Sequence, residues 1–385
     1  MFPPRPPSYD TVIVGAGITG LYLSMKLRGS VVVLESSGRA GGRVKQADFH
    51  GQTVQLGAGI VRESDSRVLE LARSLGLRVL PKTGNYGCAL PNYSRQWFND
   101  LVGALPTLDV RATESFGEFL RRHFPKETVD MFVQCSNYTD FLDADARSVI
   151  HRYPLEDMLH GPKRYYVVEG GYQRLVDRMY ELTKARVRLH CSVREVTRAD
   201  DSWVLTTSMG VVRARRVVFC VDRRSLGKVR FRPTTPAAVA ATLKSVRCNP
   251  FLRLYTAHGR STVTRPWIVT SPLKQVVPVG GAGVIMTYCD CENAEAMKEV
   301  LEKCRDVSRL LNTALAPAGE EVGPERDRLV AFWECGTHSN RPGYFPRAQF
   351  LEGDGVAVVG ELLSHAQGWN EGALASAEEF LQRVE

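Results

Sequence analysis

No apolar stretch in this 385-residue chain reaches the roughly 18 residues a membrane helix requires, so no bilayer span is expected. No pair of its nine cysteines has CxxC spacing, and Cys289 and Cys291 stand too close together for a zinc pair without further ligands. That excludes a zinc ribbon and points to reduced thiols in a cytosol-like compartment. Residues 1–8 carry Pro3, Pro4, Pro6 and Pro7 but lack the apolar core of a signal peptide. They are expected to form a disordered arm, with a cytoplasmic location as the default. Internal repeats are absent. Acidic residues are outnumbered only 42 to 50, a net charge of +8. The basic group Arg213, Arg215, Arg216, Arg223 and Arg224 has neither aromatics nor a reading module beside it, which argues for a solvated face and against a specific nucleic-acid partner. The remaining profile, 44% hydrophobic and 24% charged, is that of a globular chain long enough for two domains. Oligomeric state is not legible.

What is present starts at Thr11–Val14, a short β-rich run. It leads directly into Gly15–Ala16–Gly17–Ile18–Thr19–Gly20, and a helical pattern follows over 21–27. A second apolar run, Val31–Leu34, ends at Glu35, with Ser36 next to it. Strand, glycine turn, helix, strand and terminal acid together form a dinucleotide fingerprint. Gly15 permits the tight turn, Gly17 lets backbone approach a pyrophosphate, and Gly20 lets helix and strand pack closely. The free N–H groups and positive dipole end at the helix start suit phosphates. A carboxylate at Glu35 accepts from ribose hydroxyls and repels a 2′-phosphate, which disfavours NADP.

Further helices are expected over 66–75, 116–123, 129–135, 172–184, 294–314 and 370–384. Strands are expected over 77–80, 187–189, 203–206, 211–212, 217–220, 252–256, 267–270, 284–288 and 356–359. Strands and helices alternate at both ends and around 165–221. The fold class is therefore α/β: a Rossmann-type domain assembled from 9–80, 165–230 and 351–385. An α+β substrate domain is inserted as 81–164 and 231–350.

Several segments refine this reading: Ser37–Gly38–Arg39–Ala40–Gly41–Gly42–Arg43, then Leu56–Gly57–Ala58–Gly59–Ile60–Val61, then Val168–Glu169–Gly170–Gly171 and Cys191–Ser192–Val193. Gly360–Glu361 and Gly368–Trp369–Asn370–Glu371–Gly372–Ala373 follow near the C-terminus. On these residues the chain resembles the flavin-containing amine oxidase family. The resemblance implies FAD, held non-covalently. It sets Gly42 and Arg43 by the pyrophosphate, Gly57, Ala58, Gly59 and Ile60 by the isoalloxazine, and Val193 by the adenine. Gly360 and Glu361 fall on the pyrophosphate–ribitol side. The helix start at Gly368, Trp369, Asn370 and Ala373 falls at the flavin edge. The implied reaction passes hydride from an amine carbon to flavin N5, hydrolyses the resulting imine and returns the electrons to molecular oxygen as peroxide.

The same resemblance nominates catalytic positions. Trp369 matches one wall of an aromatic cage, and either Trp333 or His338 matches the other. The family's lysine near N5 is replaced by Arg253, with Lys274 as a second candidate; arginine there is not a conservative change. Cys335 lies near the place where some relatives attach flavin covalently, but the surrounding pattern departs from theirs. Arg62 comes too late to match the carboxylate-holding arginine of amino-acid oxidases and is expected to face solvent or the cofactor, which shifts the substrate towards a plain amine. Glu63 and Asp65 are placed to meet a second cationic centre, as in polyamines. Two alternatives stay open: another flavoenzyme on the same scaffold, such as a desaturase, protoporphyrinogen-type oxidase or sugar mutase, and a non-enzymatic flavoprotein.

Overall fold

Val12, Ile13 and Val14 are consecutive apolar residues, a pattern that only a strand covered on both faces can bury. In the computed structural model all three are buried, at the middle of a sheet. The structure describes residues 6–152, 155–281, 283–344 and 354–384. Residues 1–5 of the expected N-terminal arm lie outside the described residues, as does the domain boundary expected at 351. Ser8, assigned to that arm, instead begins the first strand, β1 (Ser8–Val14).

β1 pairs in parallel with β2 (Val31–Leu34), and between them runs helix α1 (Ile18–Lys26). On its other side β1 pairs in parallel with Gly210–Phe219, which in turn pairs in parallel with Val356–Val358. Val187–Arg188 extends the sheet beyond β2. Ser202–Thr207, Val193–Ala199 and Arg230–Arg232 extend it past Gly210–Phe219. One face is covered by α1, by Gln173–Thr183 and by helix α2 (Asn370–Val384), through Leu21, Leu175, Met179, Leu374 and Phe380. The other is covered through Leu226, Ala238 and Val239. β1, β2, Gly210–Phe219 and Val356–Val358 all run the same way, so their carboxyl ends share one edge. Turns leaving such an edge form the binding crevice of open parallel sheets.

A second sheet of six strands contains β3 (Val246–His258), β4 (Val284–Asp290) and β5 (Glu325–Asn340), with β3 between the other two. Side chains alternate across a strand. Leu252 and Leu254 on β3 therefore enter a core formed with the helices Cys291–Lys303 and Ser308–Leu315. Phe251, Arg253 and Tyr255 face the opposite way, onto a cavity. Two smaller sheets, Gln46–Phe49 with Gln52–Gln55 and Pro162–Val168 with Val61–Arg62 and Val79–Asn85, contribute further wall.

A helical unit surrounds Phe98, Phe116, Phe119 and Phe132. Its helix Phe116–His123 starts on a capping box in which Ser115 and Glu118 satisfy each other's backbone N–H groups. His160 is buried in this unit, stacked on Phe98 at 4.1 Å, with Nδ1 2.6 Å from the Tyr93 hydroxyl. Burial, reinforced by the Lys163 charge, brings its pKa down from 6.5 to about 4. The unfolded chain therefore binds a proton across that window that the folded chain refuses. Stability is unaffected above pH 6.5 and is lost as the pH falls towards 4, by roughly 3 kcal/mol. His160→Phe should flatten urea midpoints between pH 6.5 and 4 by about that amount; an unchanged slope would refute the assignment.

Candidate active site

The glycine turn leaves β1 at Gly15, whose φ of +104° is open only to glycine. A Cβ on Gly15 would come within 2.6 Å of the Cys220 carbonyl oxygen, and one on Gly20 within 2.0 Å of the Gly15 carbonyl oxygen. Gly17 differs: a Cβ there would meet nothing within 4 Å, because its Cα borders the cavity. Gly17 is also the N-cap of α1 and supplies no side-chain cap. The orphan N–H groups of the first turn are thus left for a ligand.

The cavity has a volume of about 1160 Å3 and runs from this turn to an aromatic chamber. Gly15, Gly17, Ile18, Thr19, Glu35, Ser36, Gly42, Arg43, Gly57, Ala58, Gly59 and Ile60 line it, as do Gly360, Glu361, Gly368, Trp369, Asn370 and Ala373. Ala16 and Gly20 shape the turn from behind: the Ala16 N–H donates to Glu35 Oε2 and its carbonyl accepts from Gly41. Val193, expected beside the adenine, is off the wall and packs with the second core of the large sheet.

Glu35 is more heavily engaged than the fingerprint suggests. Oε2 accepts from the Ala16 N–H at 2.8 Å, while Oε1 accepts from the Ser37 N–H and hydroxyl, both at 2.8 Å. The carboxylate ties the end of β2 to two loops. A carboxylate offers about four lone-pair sites, so Oε2 retains acceptor capacity for a ribose hydroxyl.

At the opposite lip, Arg43 Nη2 donates to Glu361 Oε2 at 2.7 Å and Nη1 to the Gly336 carbonyl at 2.8 Å. Glu361 also accepts from His338 Nδ1 at 2.8 Å, the His338 N–H at 3.2 Å and the Gly368 N–H at 2.8 Å. Burial pushes the Glu361 carboxyl up, but Arg43 and His338 overcome it and hold it well below the usual carboxylate range. His338 Nε2 accepts from the Arg223 N–H, which leaves the ring proton on Nδ1. Uncapped helix, open glycine and a fixed guanidinium within one cavity fit the diphosphate of a dinucleotide.

The nominated catalytic residues divide. Trp333 is on the wall, its Nε1 donating to the Leu56 carbonyl at 2.7 Å beside Gly57. His338 is not: it is buried behind the wall in the Glu361 network, a correction to its candidacy for the cage. Trp369 is on the wall, with the Arg62 guanidinium 4.1 Å over its ring. Arg253 is on the wall and donates from Nη1 to the Gln55 carbonyl at 2.7 Å. Lys274 is neither at the cavity nor on the surface. It is 1% exposed, and Nζ donates to the carbonyls of Val133 and Gln134 at the end of helix Lys126–Cys135. A buried cation there satisfies orphan carbonyls and complements the helix dipole.

Arg62 faces neither solvent nor cofactor. It is buried, with Asp65 at 2.7 Å and Asp157 at 2.6 Å. Asp65 is thereby spent, and the exposed Glu63 lies opposite Arg164, so neither acid of the expected polyamine subsite is on offer. Cys335 is in a disulfide with Cys248 that joins β5 to β3, and its sulfur is not a free thiol for flavin attachment. The expectation of uniformly reduced thiols fails at this pair. Sequence reasoning missed Lys82, Asp140, Tyr138, Tyr165 and Tyr288 on the cavity wall. Only Tyr288 carried a signal, as the end of a predicted strand.

A family model described as flavin containing amine oxidoreductase matches residues 19–101 and 102–264. The chain is 28% identical over 298 residues to an L-amino-acid oxidase of Sistrurus catenatus edwardsii, covering 63% of this chain and 57% of that protein. It thus spans little more than half the length of that relative. Against an L-amino-acid oxidase of Bothrops pauloensis identity is 23%, covering 95% and 87%. The fold is similar to that of putrescine oxidase bound to putrescine, with a TM-score of 0.74, 17% identity, and 98% and 99% of the two chains covered. It is also similar to cyclohexylamine oxidase from Brevibacterium oxydans IH-35A, at a TM-score of 0.70 and 16% identity, covering 97% and 100%. Likeness at such identities speaks for the fold alone. The cytoplasmic location expected above is overturned: the snake L-amino-acid oxidases are secreted proteins. The Cys248–Cys335 bond is likewise of a kind that persists in oxidising compartments.

Proposed function

This chain belongs to the flavin containing amine oxidoreductases, and from that premise we propose that it binds FAD along the cavity and oxidises an amine at its C–N bond, with oxygen as the final acceptor. The observation that carries the reading is continuity: one cavity joins the glycine turn, with its uncapped helix, to a chamber walled by aromatic side chains. Bound FAD supplies the two-electron acceptor; positioning and desolvation fall to the chain.

In this reading the first turn of α1 and Arg43 hold the diphosphate, and Glu35 takes a ribose hydroxyl. Glu361 fixes the Arg43 guanidinium, and the Glu361–Gly368 hydrogen bond fixes the approach to α2. Trp333 and Trp369 wall the chamber, excluding water and orienting the C–H bond that breaks. The division into an FAD-binding unit (9–80, 165–230, 351–385) and a substrate unit (81–164, 231–350) is part of the proposal. It is supported by the large sheet's strands falling in the first, save Arg230–Arg232 at the boundary, and by β3, β4 and β5 falling in the second.

Visible spectra of the purified chain test the proposal. A flavin spectrum that bleaches anaerobically with one class among amines, polyamines and amino acids, and returns with peroxide on admitting air, is the expected result. A chain that stays colourless after incubation with FAD would remove the cofactor assignment. A yellow protein that none of these substrates reduces would remove the reaction.

A further inference from the structure

Cys335 occupies a slip in the pairing of β5 with β3. Asn249 pairs with Thr337 and Phe251 with Trp333, so residues 334–336 stand opposite Pro250 alone. A bulge of this kind re-aims the side chain it carries and recurs beside active sites. Here Cys335 lines the cavity, while its disulfide partner Cys248 lies off the wall. Its neighbours tie this point to both parts of the cofactor wall. The Gly336 carbonyl accepts from Arg43 Nη1, and Trp333 donates to the Leu56 carbonyl beside Gly57. The disulfide is thus flanked by contacts of the arginine assigned to the diphosphate and of the glycine segment assigned to the isoalloxazine.

A second arrangement meets the sulfur from behind the wall. His338 Nε2 lies 3.2 Å from Cys335 Sγ, and Nδ1 donates to Glu361 at 2.8 Å. Carboxylate, imidazole and sulfur follow one another in the order that activates a thiol: the acid fixes the tautomer and turns the other nitrogen's lone pair to the sulfur. That lone pair also accepts from the Arg223 N–H at 3.1 Å, so the ring is pinned on both sides. A cross-link held for stability alone requires none of this. The strands that it joins are already paired on either side of the bulge.

We infer that the Cys248–Cys335 disulfide, with His338 and Glu361, is a second two-electron centre that takes electrons from the reduced cofactor, so that oxygen is not their sole destination. The inference rests on the FAD reading and is independent of which amine is oxidised. In the step the S–S bond breaks. Two electrons and two protons leave the reduced flavin, each sulfur takes one proton, and the flavin returns to its oxidised form. His338 Nε2 shares the proton on Cys335, and the Glu361 carboxylate stabilises the imidazolium when that proton crosses. The thiolate so formed faces the cavity and is the reactive form of the pair.

Anaerobic photoreduction with EDTA delivers electrons through the flavin and needs no amine. FAD-loaded protein, freed of unbound cofactor, is illuminated or kept dark and then denatured in iodoacetamide, and its alkylated cysteines are counted by mass. The dark sample should carry seven, the free thiols left by one disulfide in a chain of nine cysteines, and the bleached sample nine. Cys248→Ser, which keeps the cavity-facing sulfur, should give the same count in light and dark. In that variant His338→Gln should slow native-state alkylation of Cys335 about tenfold near neutral pH, since it removes the base that generates thiolate. Seven in the bleached wild type would overturn the centre, and so would alkylation of Cys335 that is indifferent to His338. Nine in a protein whose flavin no amine bleaches would leave the centre standing and sink the oxidase reading. A chain that takes up no FAD would be colourless before illumination, and the cofactor assignment would fall together with the centre.

Discussion

Replacing Glu361 by alanine is expected to strip the protein of flavin and to lower its unfolding free energy by about 3–5 kcal/mol, the usual cost of orphaning one member of a buried ion pair. Four donors converge on this carboxylate: Arg43 Nη2, His338 Nδ1 and the backbone N–H groups of His338 and Gly368. It is 4% exposed, and all four donors lose their acceptor at once in the variant. The freed Arg43 keeps only its bond to the Gly336 carbonyl and no longer has a fixed direction. Because the folded carboxyl is held well below its ordinary range, the wild type keeps this contribution through mildly acid solution. It loses the contribution only as the pH falls below the usual carboxylate range. Flavin absorbance after gel filtration and urea midpoints measure the two losses separately. A variant that keeps its colour and its midpoint would show that the network is incidental.

Arg62→Met should destabilise by a similar amount, about 3–5 kcal/mol, for the opposite reason. Here two carboxylates lose the one guanidinium that both of them hold, Asp65 and Asp157 alike. Trp369 also loses the cation stacked 4.1 Å over its ring, a contact worth about 0.5–2 kcal/mol. A pH signature separates this from a packing defect. Burial already pushes the Asp65 carboxyl up, and removing Arg62 raises it further. The variant therefore takes up protons on folding, and its deficit relative to wild type should shrink as the pH is lowered from 8 to 5. Asp65→Asn added to Arg62→Met should recover part of the loss. A deficit constant with pH, or one that the asparagine deepens, would point to packing.

How much of this was legible depended on range. β1, α1 and β2 were readable because strand, glycine turn, helix and acid are local and contiguous. α2, too, starts and stops where its pattern does, at Asn370 and Val384. The helix expected over 294–314 is two, Cys291–Lys303 and Ser308–Leu315, because Asp306 takes the Ser308 N–H and starts a new turn. The two short strands expected over 211–220 are one, Gly210–Phe219: Val212 and Ala214 are buried while Arg213 and Arg215 face water. At the site, Trp369 and Trp333 could be placed from motifs. His338 and Lys274 could not, because what holds them lies 23 and 140 or more residues away. Arg62 was misjudged for the same reason, since Asp157 is 95 positions distant. Neither periodicity nor composition encodes such pairings.

The bond between Arg43 and Glu361 spans 318 positions of sequence, and Val356–Val358 takes its place beside Gly210–Phe219. During synthesis the glycine turn and α1 emerge long before Glu361, the partner that orients Arg43. Contacts of such separation form late because the intervening loop must first be closed. A nascent chain thus carries an unfinished phosphate lip until Glu361 has been made and the loop between it and Arg43 has closed.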